Sequence, residues 1–330
     1  MQLSKLYWRR ASIGLIVTLV CSIAGQFLAK LPGFSLIGHL VLALLLGMCL
    51  QFARSLTAAA QQSTPFIANK FLRAGIILLG FKLNLVILMS AGLKSLEAAV
   101  VIVAVMIPLN YFVARFFKVE HTLALLTACG CSICGAAAVM GVSSAVRAKT
   151  DQSVLAVAIV AILGTLFTLI EVVLQPFLGF TDAQFGTMAG LSLHEIAHAV
   201  AAGGAAGPII AKLSRVLLLA PVAIIVGVLE ARRFRKQDGA GEDRMSVPIP
   251  WFMGGFILAS AIGSYLPFVN DFVPSLVQLA YLLLGMAMAA LGLNVNFSVI
   301  LQKGLRPMVG ALLCSFVIMG LSLSIVHTFF

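Results

Sequence analysis

Eleven stretches of mostly apolar residues, each close to twenty long, follow one another along this chain. They run roughly 11–29, 36–53, 71–93, 97–114, 122–146, 153–177, 187–211, 214–230, 249–267, 273–294 and 307–328. Coiled as helices, runs of that length match the roughly 30 Å hydrocarbon core of a bilayer. In lipid the backbone must satisfy its own hydrogen bonds, so only helices or a closed barrel can span it. Barrel strands alternate apolar and polar residues over about ten positions, and these runs do not alternate. Composition agrees: 61% of the 330 residues are hydrophobic and 10% charged, with a mean hydropathy of +1.10. So few charges could not cover the apolar surface of a soluble domain. The expected fold is an all-α polytopic membrane protein of about eleven transmembrane helices in a single domain. Its first run, from Ala11 to Leu28, reads as a retained helix rather than a cleaved signal, because it is long and lacks a small-x-small cleavage site.

Charge sets the expected orientation. The net charge is +11, from 22 Lys and Arg against 11 Asp and Glu. The charges lie in short connections, a pattern of membrane orientation and anionic-lipid contact rather than nucleic-acid binding. With the N-terminus cytoplasmic and sides alternating, fifteen of the 22 cations face the cytoplasm, five of them in the basic loop 231–247. Six (Lys30, Lys94, Arg147, Lys149, Lys212 and Arg215) face the other side, and Lys82 falls inside a run. That asymmetry predicts a cytoplasmic N-terminus and a periplasmic C-terminus. All six cysteines sit in apolar runs, which argues against a secreted disulfide framework.

The sequence also echoes itself. Gly80-Phe81-Lys82-Leu83-Asn84-Leu85 continues to Gly92-Leu93-Lys94, and Gly292-Leu293-Asn294-Val295-Asn296-Phe297 continues to Gly304-Leu305-Arg306. One shift of 212 pairs Gly80 with Gly292, Asn84 with Asn296, Gly92 with Gly304 and Lys94 with Arg306. The copies fall in the third and tenth runs, which cross in opposite directions. Inverted duplication of this kind is typical of secondary transporters; the plain alternative is chance likeness between Gly/Leu-rich helices, and the register kept by both glycines and the amide favours duplication.

Three places carry polar chemistry at membrane depth. In Thr127–Ala138 the run Cys131-Ser132-Ile133-Cys134-Gly135 combines small residues with glycine. It reads either as close helix packing or as a broken helix whose exposed amides face an anion. A metal or redox role for Cys131 and Cys134 lacks a second pair. Farther on, His194-Glu195-x-x-His198 matches the zinc-protease pattern if it lies on one helix face. The third ligand would then come from Glu230 or Asp271, neither in a convincing ligand context. As a buried cluster, His194, Glu195 and His198 would instead carry a coupling proton or ion, with a satisfied structural network as the plain alternative. Lys82 lies mid-run and needs a counter-charge, either a carboxylate such as Glu171 or Glu195 or an anionic substrate. Asn84 and Asn296 would bind the same ligand or serve as interhelical hydrogen bonds.

The runs Cys131-Ser132-Ile133-Cys134-Gly135-Ala136, His194-Glu195-x-Ala197-x-x-Val200-Ala201-Ala202-Gly203 and Gly80-Phe81-x-Leu83 resemble the YeiH-type family of bacterial inner-membrane proteins, named for sulfate export. The resemblance covers essentially the whole chain. It implies a fold similar to the sodium/proton antiporters and bile-acid/sodium symporters, with inverted repeats and two discontinuous helices crossing near mid-membrane. Ser132–Gly135 and Ser192–Gly203 would form that crossing. Many relatives carry Gln at the position of His198, an exchange a zinc site could not survive. The expectation is therefore a secondary transporter of a small anion, sulfate or related, working by alternating access without ATP and without a cofactor. Its substrate site would use Lys82, Asn84, Asn296 and Cys131–Gly135. His194, Glu195, His198 and Glu171 would carry coupling, and a homodimer follows from fold analogy alone. The rivals are an intramembrane zinc metalloprotease, a non-transporting sensor or scaffold, and a channel.

Overall fold

A computed structural model of the chain describes residues 2–31, 34, 39–52, 60, 63–83, 85–86, 92–143, 145–203, 206–238, 251–269, 271–294 and 304–330. In chain order the helices are α1 (Gln2–Leu28), α2 (His39–Leu50), α3 (Thr64–Lys82), α4 (Leu93–Phe116), α5 (His121–Ser132), α6 (Ala136–Ser143) and α7 (Thr150–Leu178). Then follow α8 (Asp182–Ser192), α9 (Ile196–Gly203), α10 (Ala206–Leu217), α11 (Leu219–Asp238), α12 (Trp251–Tyr265), α13 (Val273–Gly292) and α14 (Leu305–Phe329). No strand occurs among the described residues. Among the described residues, six helical spans of 19 to 29 residues are long and apolar enough to cross a membrane, and Ser12–Leu28 and Gly254–Tyr265 are shorter apolar helices. Large apolar side chains point outward, among them Phe112, Phe116, Val173 and Phe177, while serine, threonine, glutamate and lysine are buried. That distribution suits lipid as the surrounding solvent. The chain is a polytopic helical membrane protein.

Two compact units divide it. The first joins Met1–Leu85 to Gly255–Ser298. Here glycines let backbones touch. A Cβ on Gly47 would strike the carbonyl of Ala289, and one on Gly292 would strike that of Leu44, so α2 and α13 pack at small-residue distance. The last carbonyl of α13, that of Gly292, accepts from Gln51 Nε2 at 2.7 Å. Helix α3 opens at Thr64-Pro65, widens into a π turn at Ile67–Phe71 and tightens to a 3₁₀ turn at Gly80–Lys82. Its end is held from α12: Ser260 Oγ donates to the Leu83 carbonyl (2.8 Å), and Ser264 Oγ accepts from the Leu85 amide (2.8 Å).

The second unit joins Val86–Gly254 to Val299–Phe330. Two of its helices are interrupted where the sequence is rich in small residues. Helix α5 stops at Ser132 and α6 resumes at Ala136. Between them Gly135 has φ +75°, a conformation that favours glycine. Helix α8 opens on a Thr181/Gln184 capping box and stops at Ser192, where Leu193 turns extended, and α9 resumes at Ile196.

The internal echo survives as structure. Gly92 and Gly304 are the N-caps of α4 and α14, which begin at Leu93 and Leu305 in the register of the repeat. Each helix of the first copy also lies antiparallel to its counterpart. In the first unit the start of α3 meets the end of α13 (Thr64 Oγ1 to Asn294 Nδ2, 2.8 Å), and Gly75 of α3 packs on Ala280 and Leu284. In the second unit Lys94 at the start of α4 reaches the Phe329 carbonyl at the end of α14, and Ala114 lies against Gly310. Antiparallel pairing of matched helices is the geometry of an inverted repeat.

Three boundaries read from the sequence require correction, the first being the basic loop 231–247, of which 231–238 continue α11 as helix. The third span runs Thr64–Lys82 rather than 71–93, so Lys82 closes a helix instead of sitting in mid-span. The Ser63-Thr64-Pro65 start signal explains the shift. Lys212 and Arg215, read as charges outside the membrane, lie inside α10 and are fully buried. The apolar span there is Ile210–Phe234 rather than one starting at 214.

Gly292→Ala is expected to cost about 1–3 kcal/mol, the usual range for overpacking a close contact. Gly320→Ala, where an added Cβ meets open space, should leave stability unchanged. Thermal unfolding of both variants in detergent checks this.

Candidate functional site

The two interrupted helices of the second unit bring their breaks together, and cations from α10 join them. Arg215 donates from Nε to the Ser132 carbonyl (3.2 Å), from Nη1 to those of Leu191 (2.5 Å) and Leu193 (3.0 Å), and from Nη2 to that of Cys131 (3.1 Å). Lys212 Nζ donates to the carbonyls of Ile133 (3.2 Å) and Leu193 (2.5 Å). Both side chains are 0% exposed. The carbonyl end of a helix carries partial negative charge and lacks intrahelical donors. One guanidinium and one ammonium therefore cap α5 and α8 together. Lys212 and Arg215 form no ion pair with a carboxylate among the described residues.

The amide end of the first break meets an acid. Glu195 Oε1 accepts from the Ala136 amide at 3.4 Å, and a Cβ on Gly135 would overlap the Glu195 Cγ. Gly135 thus serves twice, by its positive φ and by the room it leaves. Helix-start charge at α6 is met by a carboxylate from the chain itself. Glu171, 0% exposed on α7, is different: neither carboxylate oxygen accepts a hydrogen bond. The nearby hydroxyl of Ser192 donates instead to the Met188 carbonyl (2.8 Å). His194 Nε2 lies 3.2 Å from Ser315 Oγ, whose own proton goes to the Ala311 carbonyl (2.8 Å). That geometry has His194 donating. His198 Nε2 lies 3.4 Å from Thr165 Oγ1, and Gly164 provides the space for its imidazole. Ser132 Oγ accepts from Asn110 Nδ2 at 3.3 Å.

The profile of a family described as conserved hypothetical protein 698 matches residues 13–311. The chain belongs to that family. The UPF0324 membrane protein of Lactobacillus johnsonii is 53% identical over 305 residues, 88% of each chain. That of Bifidobacterium longum is 45% identical over 350 residues, 98% of each. A Listeria innocua relative is 36% identical over 332 residues, 99% of this chain and 97% of its own. These matches bear out the YeiH-type resemblance. No solved structure matches the chain.

In this member of the family, the expected site residues fall in both units. Cys131, Ser132, Ile133, Cys134, Gly135, Glu171, His194, Glu195 and His198 all belong to the second unit. The cysteines are free buried thiols, and the Cys131 and Ile133 carbonyls face cations rather than an anion. Lys82 belongs to the first unit, where it donates to Tyr281 Oη at 2.8 Å. Asn84 and Asn296 lie outside the described residues.

The metalloprotease pattern loses its geometric premise. His194 and Glu195 sit in the break and His198 inside α9, so the motif does not present one continuous helix face. The side chains turn to Ser315, Ala136 and Thr165 respectively. Among the described residues no three His, Cys, Asp or Glu side chains converge on a point where a metal could sit. Glu230 is engaged elsewhere, accepting from His121 Nε2 at 2.7 Å, and Tyr111 Oη meets His121 Nδ1 at 2.7 Å. Asp271 is exposed. The Tyr111–His121–Glu230 chain, absent from the sequence reading, borders an apolar cleft of about 590 Å³ between α4 and α11.

Replacing Arg215 by Met removes hydrogen bonds to four carbonyls on two helices, each charge-assisted bond being worth roughly 1.5–3 kcal/mol. A loss of at least about 3 kcal/mol is expected, read as a lower unfolding midpoint in detergent. Arg215→Lys, with one nitrogen in place of a fork, should recover only part of it.

Proposed function

We propose that the protein is a secondary transporter of a small anion, sulfate or a related oxyanion, working by alternating access with the paired helix breaks as its working site. The observation that carries this reading is the buried cation pair on α10. An ammonium has three donors and a guanidinium five. Lys212 uses two on carbonyls and Arg215 four. One N–H on each remains for a ligand that accepts from both, and an anion answers that need at membrane depth. Buried ionisable groups of this kind mark a solute or ion path. A sensor or scaffold has no need of spare charged donors inside the bilayer.

Coupling falls to the acids and histidines beside the pair. Glu171 is the foremost, because its carboxyl accepts no hydrogen bond and can take up a proton or a sodium ion. Glu195, His194 and His198 hold the broken segments in place and share the ionic traffic. No catalytic role is assigned to these residues. The orientation proposed is N-terminus in the cytoplasm and C-terminus in the periplasm of a bacterial inner membrane. With Lys212 and Arg215 moved inside the protein, the cation asymmetry favouring that orientation becomes greater.

Purified protein in liposomes tests the reading. Saturable sulfate flux that responds to an imposed pH or sodium gradient is expected. Glu171→Gln, nearly isosteric, should keep anion exchange while abolishing the response to the gradient. Lys212→Gln should slow flux roughly ten- to a hundred-fold, the loss of one charge-assisted hydrogen bond. Absence of any saturable anion flux from the wild type would refute the proposal.

A further inference from the structure

The first unit carries a cavity of about 250 Å³, lined by Gln26, Ala29, Lys30, His39, Gln278 and Tyr281. It lies between the end of α1, the start of α2 and the first half of α13. Among the described residues no aspartate or glutamate lines it. Lys82 stands behind its wall, with Nζ 2.8 Å from Tyr281 Oη and 5.2 Å from the centre of that ring. Neither Lys30 nor Lys82 forms an ion pair with a carboxylate among the described residues. Lys30 rests 5.2 Å from the centre of the Phe27 ring.

The hydrogen-bond directions set the cavity's preference. An ammonium has no acceptor, so Lys82 donates and Tyr281 Oη accepts. The phenol proton is then released to point elsewhere, and the cation behind it strengthens it as a donor. His39 stands edge-on to the same ring, with centroids 4.9 Å apart, and its Nε2 is buried without a hydrogen-bond partner. Gln26 and Gln278 add amide N–H groups, and Lys30 adds a full charge at the rim. Donors outnumber acceptors, positive charge is uncompensated, and the volume accommodates a sulfate-sized ion with a few waters.

We infer that this cavity binds an oxyanion through Tyr281, His39 and Lys30, with Lys82 polarising the Tyr281 hydroxyl. The site is independent of the helix breaks in the second unit, and its ligand is a sulfate, phosphate or carboxylate group. Such a group arrives either as a free ion or as the phosphate of an anionic lipid, and the two sources share one recognition chemistry.

Equilibrium binding of radiolabelled sulfate to the full chain tests the inference, in nanodiscs of zwitterionic lipid and again with phosphatidylglycerol added. Beside any binding at the helix breaks, the wild type is expected to show a sulfate-binding component from this cavity, which Tyr281→Phe and Lys30→Gln each weaken by about tenfold, the share of one charge-assisted contact. Lys30 is exposed, so its replacement leaves the packing of the helices intact, and an unchanged unfolding midpoint verifies this. Loss of sulfate binding on adding phosphatidylglycerol would identify lipid phosphate as the occupant of the same site. Wild-type affinity in both variants, or no binding by the wild type in either lipid, would overturn the inference. The liposome flux assay separates the two proposals. Binding that depends on Tyr281 in a protein without flux would leave this site standing and remove the transporter. Flux with sulfate affinity unaltered in Tyr281→Phe would do the reverse.

Discussion

Capping of two helix ends by a pair of buried cations is the interaction on which the second unit rests. A helix that stops within the bilayer leaves carbonyls with neither intrahelical donors nor water, a cost that lipid cannot relieve. Arg215 and Lys212 relieve it for α5 and α8 at once. The cations in turn need those carbonyls, because a bare charge in that setting is more costly still. Each side of the contact therefore makes the other tolerable. The amide end of α6 follows the same logic with sign reversed, its first amide meeting Glu195.

This mutual dependence explains the composition around the breaks. Gly135 and Gly164 lie where the side chains of Glu195 and His198 must pass. Cys131, Ser132 and Ser192 are small enough to let α5 and α8 approach α10. Large apolar residues are relegated to the outer faces of α4, α7 and α14, where lipid receives them. The second unit thus keeps polar groups inside and large apolar side chains outside, the reverse of the contrast by which a soluble protein hides its core.

Much of this was legible from the residues. The bilayer imposes run length, so hydropathy alone marked the chain as a polytopic helical membrane protein, and the glycine- and small-residue runs marked both interruptions. The repeat was visible in Gly80, Gly92, Gly292 and Gly304, and the matched helices pair antiparallel as an inverted repeat requires. Lys212 and Arg215 escaped because charge near the edge of an apolar run looks like a loop. A cap at the end of another helix is a tertiary relation that linear hydropathy cannot register. Their spacing of three residues, which puts both on one helix face, was the only local hint. Lys82 was misplaced for a similar reason: the polar start of α3 resembled a loop, although Ser63-Thr64-Pro65 signalled a helix start. The break separates His194 and Glu195 from the helix that carries His198, so their spacing does not fall on one continuous helix face.

The antiparallel pairing of α3 with α13 and of α4 with α14 has a consequence for how such a chain arose. Each copy of the duplicated segment supplies one helix to either unit, so neither copy can complete a unit by itself. A half-length ancestor would have had to enter the membrane in both orientations and associate with itself before the two halves were fused.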